Sequence, residues 1–491
     1  MFRRRTARPF CARKAEAARR TGVLAPPRSS SSLLFSRRVG TPSRRSRRGL
    51  SIMWAAGQRR QRWGVTLALA TASMAVATTA IAVQSLSGRK RAGALAKPAA
   101  PRMVVRTVTT GVTLKPGDCA QWEKELRKAA ETNMKVAAAL KEAGFEVQST
   151  RITTNPFEEY IQTDSVDLAI RDAKEIERVA TKAGISLISL GPATRSEAVQ
   201  LIPNIIQSSS ILSVSIPVGL KNGAPDYARA LEAAEACINI SRNTPGGIGN
   251  FQLAVSFNAR PNIPFFPVGF HRGQSASFAI GCESTPVVSQ AMMEAGKEGE
   301  VTLEQLGPAI REAMERDMKT IDKIAKECER KMGVWYDGMD TSVAPNPNEL
   351  SLTKGYEASG LGRFGESGSL CVSSIITSAA KSIGVRRTGY SGLMLPPLED
   401  YGLAHMAMDT YTISDLLLYS AVCGVGLDTV PVPGNTPATK LAALYCDCAS
   451  LAFRLDKPLT ARLFPVVGKK AGEMTTFNSP YMCNGKIFEV P

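Results

Sequence analysis

The chain has 491 residues and a formal net charge of +18, from 61 Lys and Arg against 43 Asp and Glu, with two His and 6% aromatics. Of these, 23 bases and a single acid, Glu16, fall in residues 1–102, so that segment carries +22 and the remainder −4. A basic leader before an acidic remainder, with no basic stripe interleaved with aromatics, argues against nucleic acid as a partner, and two histidines rule out a histidine metal cage, so no metal is expected.

Residues 1–62 are rich in Arg and Ser and nearly free of acids, the composition of an organelle presequence for mitochondrion or plastid. Residues 63–88 carry no charge, and Gly64–Leu86 is long enough to cross a bilayer. This segment is expected to act as a transmembrane anchor or a second targeting signal. Read from Met53, the same stretch resembles a signal peptide, which keeps the secretory pathway as an alternative. Residues 89–102 form a linker, and 103–491 are expected to make one domain.

Within that domain Val104–Thr110 reads as the first strand and Ala120–Ala143 as a helix. One junction then repeats. Lys141 to Gly144 precedes Phe145–Val147, Lys182 to Gly184 precedes Ile185–Leu187, Lys331 to Gly333 precedes Val334–Tyr336, and Lys381 to Gly384 precedes Val385. A base in the last turn suits the negative end of the helix dipole, Gly takes the left-handed position after it, and the apolar run that follows is a strand. Repeated alternation of this kind predicts an α/β fold with a mainly parallel sheet covered by helices. Ser165–Ala183, Ser196–Gln207 and Tyr227–Arg242 read as further helices, and Ile211–Val218 and Phe251–Phe257 as strands. Pro308 suits the first position of a long helix ending at Met332, with Ile310, Ala313, Asp317, Ile321, Ile324 and Cys328 facing inward. Helices at Leu370–Ile383, Ile413–Val422 and Ala438–Phe453 follow, with strands near Leu393 and Leu463.

The ten cysteines are scattered without paired spacing, and Cys328, Cys371 and Cys423 are expected in the core. Cys282 is a candidate nucleophile if His271 supplies its base. The stretch Gly333–Pro347 groups Asp337, Asp340, Thr341 and Ser342 just past a strand, before Pro345 and Pro347 end regular structure, a position where α/β proteins place ligands.

Several stretches together carry a resemblance. Gly338-Met-Asp-Thr-Ser-Val-Ala-Pro345, Phe364-Gly365 with Gly368-Ser-Leu370, Gly389-Tyr-Ser-Gly-Leu-Met-Leu-Pro396 with Glu399-Asp400, Gly424 to Gly434, and Lys457 to Pro465 with Gly468-Lys469 occur in this order. From Val104 onward the chain resembles a widespread family of unknown function whose structures look like the pyruvate formate-lyase barrel. The resemblance implies a ten-stranded α/β barrel. It does not imply radical chemistry, because Arg387-Thr-Gly389-Tyr390 lacks the spacing and C-terminal position of a glycyl radical loop.

The family brings no established reaction, and the residues name no cofactor. Asp340, Glu399 and Asp428 are therefore candidate acid/base groups, since neighbouring carboxylates split their pKa values. Arg462 and Lys469 are candidate anion anchors, with Ser342 and His271 as further substrate-binding candidates. The expected partner is a small anionic ligand, on an enzyme or on a non-catalytic binding protein. In a parallel barrel the strand ends share one rim, so Asp340, Ser342, Glu399, Asp428 and Arg462 are expected around a single mouth.

Overall fold

A computed structural model describes residues 101–296 and 302–491. The leader, residues 63–88 and most of the linker lie outside these.

The sheet strands are β1 (Val104–Val112), β2 (Thr150–Thr154), β3 (Leu187–Pro192), β4 (Leu212–Pro217), β7 (Leu253–Phe257), β8 (Ser277–Glu283), β9 (Trp335–Asp340), β10 (Gly426–Pro433) and β11 (Leu459–Val466). A short hairpin, β5 (Leu220–Lys221) with β6 (Ala224–Pro225), stands apart from them. The helices are α1 (Cys119–Glu142), α2 (Val166–Lys182), α3 (Ser196–Ser208), α4 (Tyr227–Asn243), α5 (Thr285–Ala295), α6 (Leu303–Met332), α7 (Leu352–Ala358), α8 (Ser369–Ser382), α9 (Tyr401–Met406), α10 (Ile413–Tyr419) and α11 (Ala438–Arg454). The repeated helix-to-strand junction has its expected cause at three of four places. Gly144, Gly184 and Gly333 adopt φ of 81°, 77° and 66°, where a β-carbon would be strained.

Nine strands form one mostly parallel sheet in the order β10-β11-β7-β4-β3-β2-β1-β8-β9, where the resemblance implied ten. Strands β1, β2, β3, β4 and β7 run parallel to one another. So do β8 with β9 and β10 with β11, but both of these pairs meet the first group antiparallel, at β1/β8 and β7/β11. The region expected to be a strand near Leu393 forms only isolated parallel bridges, Met339 to Arg387 and Val343 to Leu393. On its other side Gly424 N donates to Leu393 O at 2.6 Å.

The strands of the first group present one apolar face, on which Ile152, Ile188, Val214 and Val255 are all buried, and one hydroxylic face with Thr153, Ser189, Ser213 and Ser215, also buried. Helix α6 starts before Pro308 and buries Leu306, Ile310, Met314, Asp317, Met318, Ile321, Asp322, Ala325 and Cys328. Ala313 and Ile324 sit at the margin of that face. Cys328 and Cys423 are in the core as expected, whereas Cys371 is exposed because α8 turns it outward one residue before the buried Val372. The nine described cysteines are all free. Among the described residues no helix is long and apolar enough to cross a membrane, and the 30-residue α6 is ruled out by charges along its whole length.

Candidate functional site

Two arginines on strands that are otherwise apolar or hydroxylic define the site. Arg106 occupies the third position of β1 and Arg151 the second of β2. A guanidinium inside a sheet strand needs counter-charge or solvent. Arg106 has counter-charge: its Nη1 donates to Glu283 Oε2 at 3.1 Å and to Pro345 O at 3.0 Å, and its Nη2 to Glu399 Oε2 at 3.0 Å. Glu399 Oε1 accepts in turn from Arg462 Nη2 at 2.6 Å, and Arg462 Nε donates to Asp428 Oδ1. The result is a buried chain of alternating charge, Glu283–Arg106–Glu399–Arg462–Asp428. Burial alone would lower the Arg462 pKa, but Asp428 and Glu399 carry it above the usual arginine range.

Local backbone explains how Asp428 joins this chain. The β10/β11 register slips between Leu427 and Val430, and Thr429 takes a φ of 45°, a conformation that a β-branched residue seldom adopts. A bulge of this type re-aims the side chain beside it. Glu399 is placed by the turn from Pro396, whose carbonyl accepts Glu399 N at 3.0 Å.

These groups border a cavity of about 130 Å³. Arg106, Arg151, Glu399, Asp428, Arg462 and Tyr390 supply its polar and ionisable wall, and Phe251, Phe265, Phe266, Val268, Met394 and Val425 its apolar one. Arg151 differs from the other two arginines. Its Nε donates to Ser149 Oγ at 3.1 Å and its guanidinium lies 5.4 Å from the Phe266 ring centre, with no carboxylate partner among the described residues. Burial, and then the like charge of Arg106, push its pKa down to about 9, still a cation at neutral pH. Burial and then the charge of Asp428 hold the Tyr390 phenol above its usual range, so it stays protonated. Phe251 stacks on Tyr481 at 5.7 Å between ring centres.

Three of the five residues expected around one mouth, Glu399, Asp428 and Arg462, line this cavity together. Asp340 and Ser342 are fully buried nearby and do not. Asp340 accepts from Ser342 N at 3.0 Å, Ser342 Oγ at 2.6 Å, Tyr390 N at 2.8 Å and Ser391 N at 2.9 Å. Its approach to that backbone needs Gly389, where a β-carbon would lie 2.0 Å from Asp340 Oδ2. Lys469 lies away from the cavity, where its backbone O accepts Gly434 N at 3.3 Å. His271 is buried beside Gly111, with both ring nitrogens unpartnered among the described residues and its pKa lowered by burial. A Cys282–His271 pair does not form. Cys282 pairs with Val105 while Gly111 pairs with Ser277, six residues and about 20 Å along the strand. Burial, and then the charges of Asp340 and Asp317, also push the Cys282 thiol up. Among the described residues no group of His, Cys, Asp and Glu is arranged to hold a metal.

The arginines of β1 and β2 escape a search of strand ends because they lie at strand starts. In the first strand group the cavity sits at the N-terminal ends, where Arg106 meets Glu283 at the C-terminal end of β8 and Pro345 in the segment after β9. A lone Arg within a short strand is the sequence signal that finds them.

Residues 99–478 match the family described as Uncharacterised ACR (DUF711). Similar proteins include a UPF0210 protein of Actinobacillus pleuropneumoniae, 26% identical over 399 residues, covering 76% of this chain and 87% of the relative. Another, from Neisseria meningitidis, is 25% identical over 398 residues with the same coverage, and one from Methanopyrus kandleri is 28% identical over 395 residues, covering 75% and 87%. These relatives are bacterial and archaeal, which corrects the expectation of a transit peptide, an organelle location and a membrane tether through residues 64–86. Those residues themselves lie outside the described part of the chain. The chain belongs to this uncharacterised family, DUF711 or UPF0210.

Proposed function

We propose that the protein is an enzyme acting on a small anionic metabolite held in the cavity bounded by Arg106, Arg151 and Arg462. The observation that supports this most is Arg151, a cavity-lining cation without a carboxylate partner among the described residues, next to two arginines that are both paired. Removing a charge from water is costly unless a partner compensates, and an anionic ligand would be that partner. A cavity of about 130 Å³ suits a small molecule, since an apolar cavity of about 150 Å³ takes benzene. Asp428 is the acid/base group of this reading, because Arg462 engages only its Oδ1. Arg462 and Glu399 hold the array in place, while Asp340 and Ser342 fix the neighbouring loop.

A second reading, a non-catalytic ligand-binding protein, draws support from Glu399, whose two oxygens are both occupied by guanidinium groups and so are poorly placed to move protons. Both readings include a closed ten-stranded barrel like that of pyruvate formate-lyase. Residues 386–394 would be its tenth strand, supported by Val343 N donating to Gly392 O at 3.0 Å and Met394 N to Val343 O at 3.1 Å.

The test is thermal unfolding across a panel of small carboxylates and phosphates, on the wild type and on Arg151→Gln. Stabilisation of the wild type by several degrees, absent in the variant, is expected. No response of the wild type to any anion would refute the reading. Product formation, followed by NMR, separates enzyme from binding protein.

A further inference from the structure

We propose that the ligand is a zwitterion, one carboxylate and one ammonium on an apolar body, the chemistry of a free amino acid with an apolar side chain. This rests on the anion-binding reading above and adds a cation subsite to it.

The buried chain Glu283–Arg106–Glu399–Arg462–Asp428 contains three carboxylates and two guanidiniums, an excess of one negative charge. Arg151 carries the balancing positive charge but touches none of those carboxylates. The wall therefore presents both an unpaired cation and an unpaired anion. A simple carboxylate answers Arg151 alone and leaves the excess negative charge desolvated. A zwitterion answers both, with its ammonium beside the negative end of the chain.

That end is Asp428. Its Oδ1 is held by Arg462, while its Oδ2 takes no hydrogen bond among the described residues and belongs to a side chain on the cavity wall. Tyr390 lines the same cavity, and its phenol stays protonated. Glu399 cannot serve the same purpose, because Arg106 and Arg462 occupy both its oxygens. Phe265, Phe266, Val268, Met394 and Val425 make much of the remaining wall apolar, and the other polar residues there, among them Ser213, Gln252 and Thr460, are uncharged, so the wall suits an aliphatic or aromatic side chain rather than a second charged group. A dicarboxylate or diamine would leave a like charge facing the wall.

The experiment uses the full chain and six probes: leucine and phenylalanine, their deaminated acids 4-methylpentanoate and 3-phenylpropanoate, and the amines 3-methylbutylamine and 2-phenylethylamine. Binding is measured by calorimetry and by thermal unfolding. An amino acid is expected to bind at least tenfold more tightly than either of its halves, and Asp428→Asn is expected to erase its advantage over the deaminated acid. If the deaminated acid binds as tightly as the amino acid, the zwitterion inference is overturned while anion binding at Arg151 stands. If neither acids nor amino acids bind, both readings fail. Should Asp428→Asn not fold, the wild-type ratio of amino acid to acid decides the question alone.

Discussion

Glu399 and Arg462 meet at 2.6 Å, each with a side chain only 7% exposed. Through its other oxygen Glu399 reaches Arg106 at 3.0 Å on β1, which four strands, β7, β4, β3 and β2, separate from β11. One carboxylate thus ties together distant parts of the sheet.

Removing one partner from a buried pair leaves the other uncompensated, which costs about 3–5 kcal/mol. Glu399→Ala strips two arginines at once and is expected to lose at least that much in chemical denaturation. Glu399→Gln, which keeps one acceptor oxygen, is expected to lose less. Equal stability of Glu399→Ala and wild type would mean that solvent already screens both guanidiniums.

Asp340 is expected to behave as an organiser of the fold. Its four accepted hydrogen bonds include the amides of Tyr390 and Ser391, and each buried donor left without a partner costs about 1–3 kcal/mol. Asp340→Ala should therefore lower the midpoint of denaturation sharply. A variant with wild-type stability but no ligand response would instead return Asp340 to the binding machinery.

Stability should also carry a pH signature from Asp337. Its Oδ1 accepts from Asn262 Nδ2 at 2.9 Å, and burial pushes its carboxyl up to about 6. The folded value lies above the unfolded one, about 3.9. The resulting stability is fully present below about pH 4 and lost as pH rises through 6. Asp337→Asn is expected to match the wild type at pH 4 and to exceed it at pH 7.5 by at most roughly 3 kcal/mol. A difference that does not change with pH would contradict this.

Gly392 and Gly424 offer a test of how closely residues 386–394 are held. A β-carbon on Gly392 would lie 2.8 Å from Gly424 Cα, an overlap of the kind that costs about 1–3 kcal/mol. Gly392→Ala should lose stability and speed hydrogen exchange at the Gly424 and Met394 amides. Unchanged exchange would show that the two segments do not pack.

The sequence makes the helices and the parallel character of the sheet legible because both rest on local periodicity and on glycines such as Gly144, Gly184 and Gly333 at helix ends. It also brings Glu399, Asp428 and Arg462 to attention. Arg106 and Arg151 stay hidden because strand direction is a property of pairing. Nothing local in β8 shows that it runs antiparallel to β1, so the end at which the site gathers cannot be read from strand order. Asp340 misleads for a related reason, since its partners Tyr390 and Ser391 are 50 and 51 residues away. The exposure of Cys371 turns on a helix phase shifted by one residue.

The central claim is that Arg151 is the anchor for an anionic ligand, and the most direct measurement is calorimetric titration of a stabilising acid into wild type and Arg151→Gln. Charge-assisted hydrogen bonds are worth about 1.5–3 kcal/mol, so affinity is expected to fall by at least tenfold in the variant, while the ligand-free variant, freed of an uncompensated buried charge, is expected to be at least as stable as the wild type. Equal affinity of the two proteins for that acid would contradict the claim.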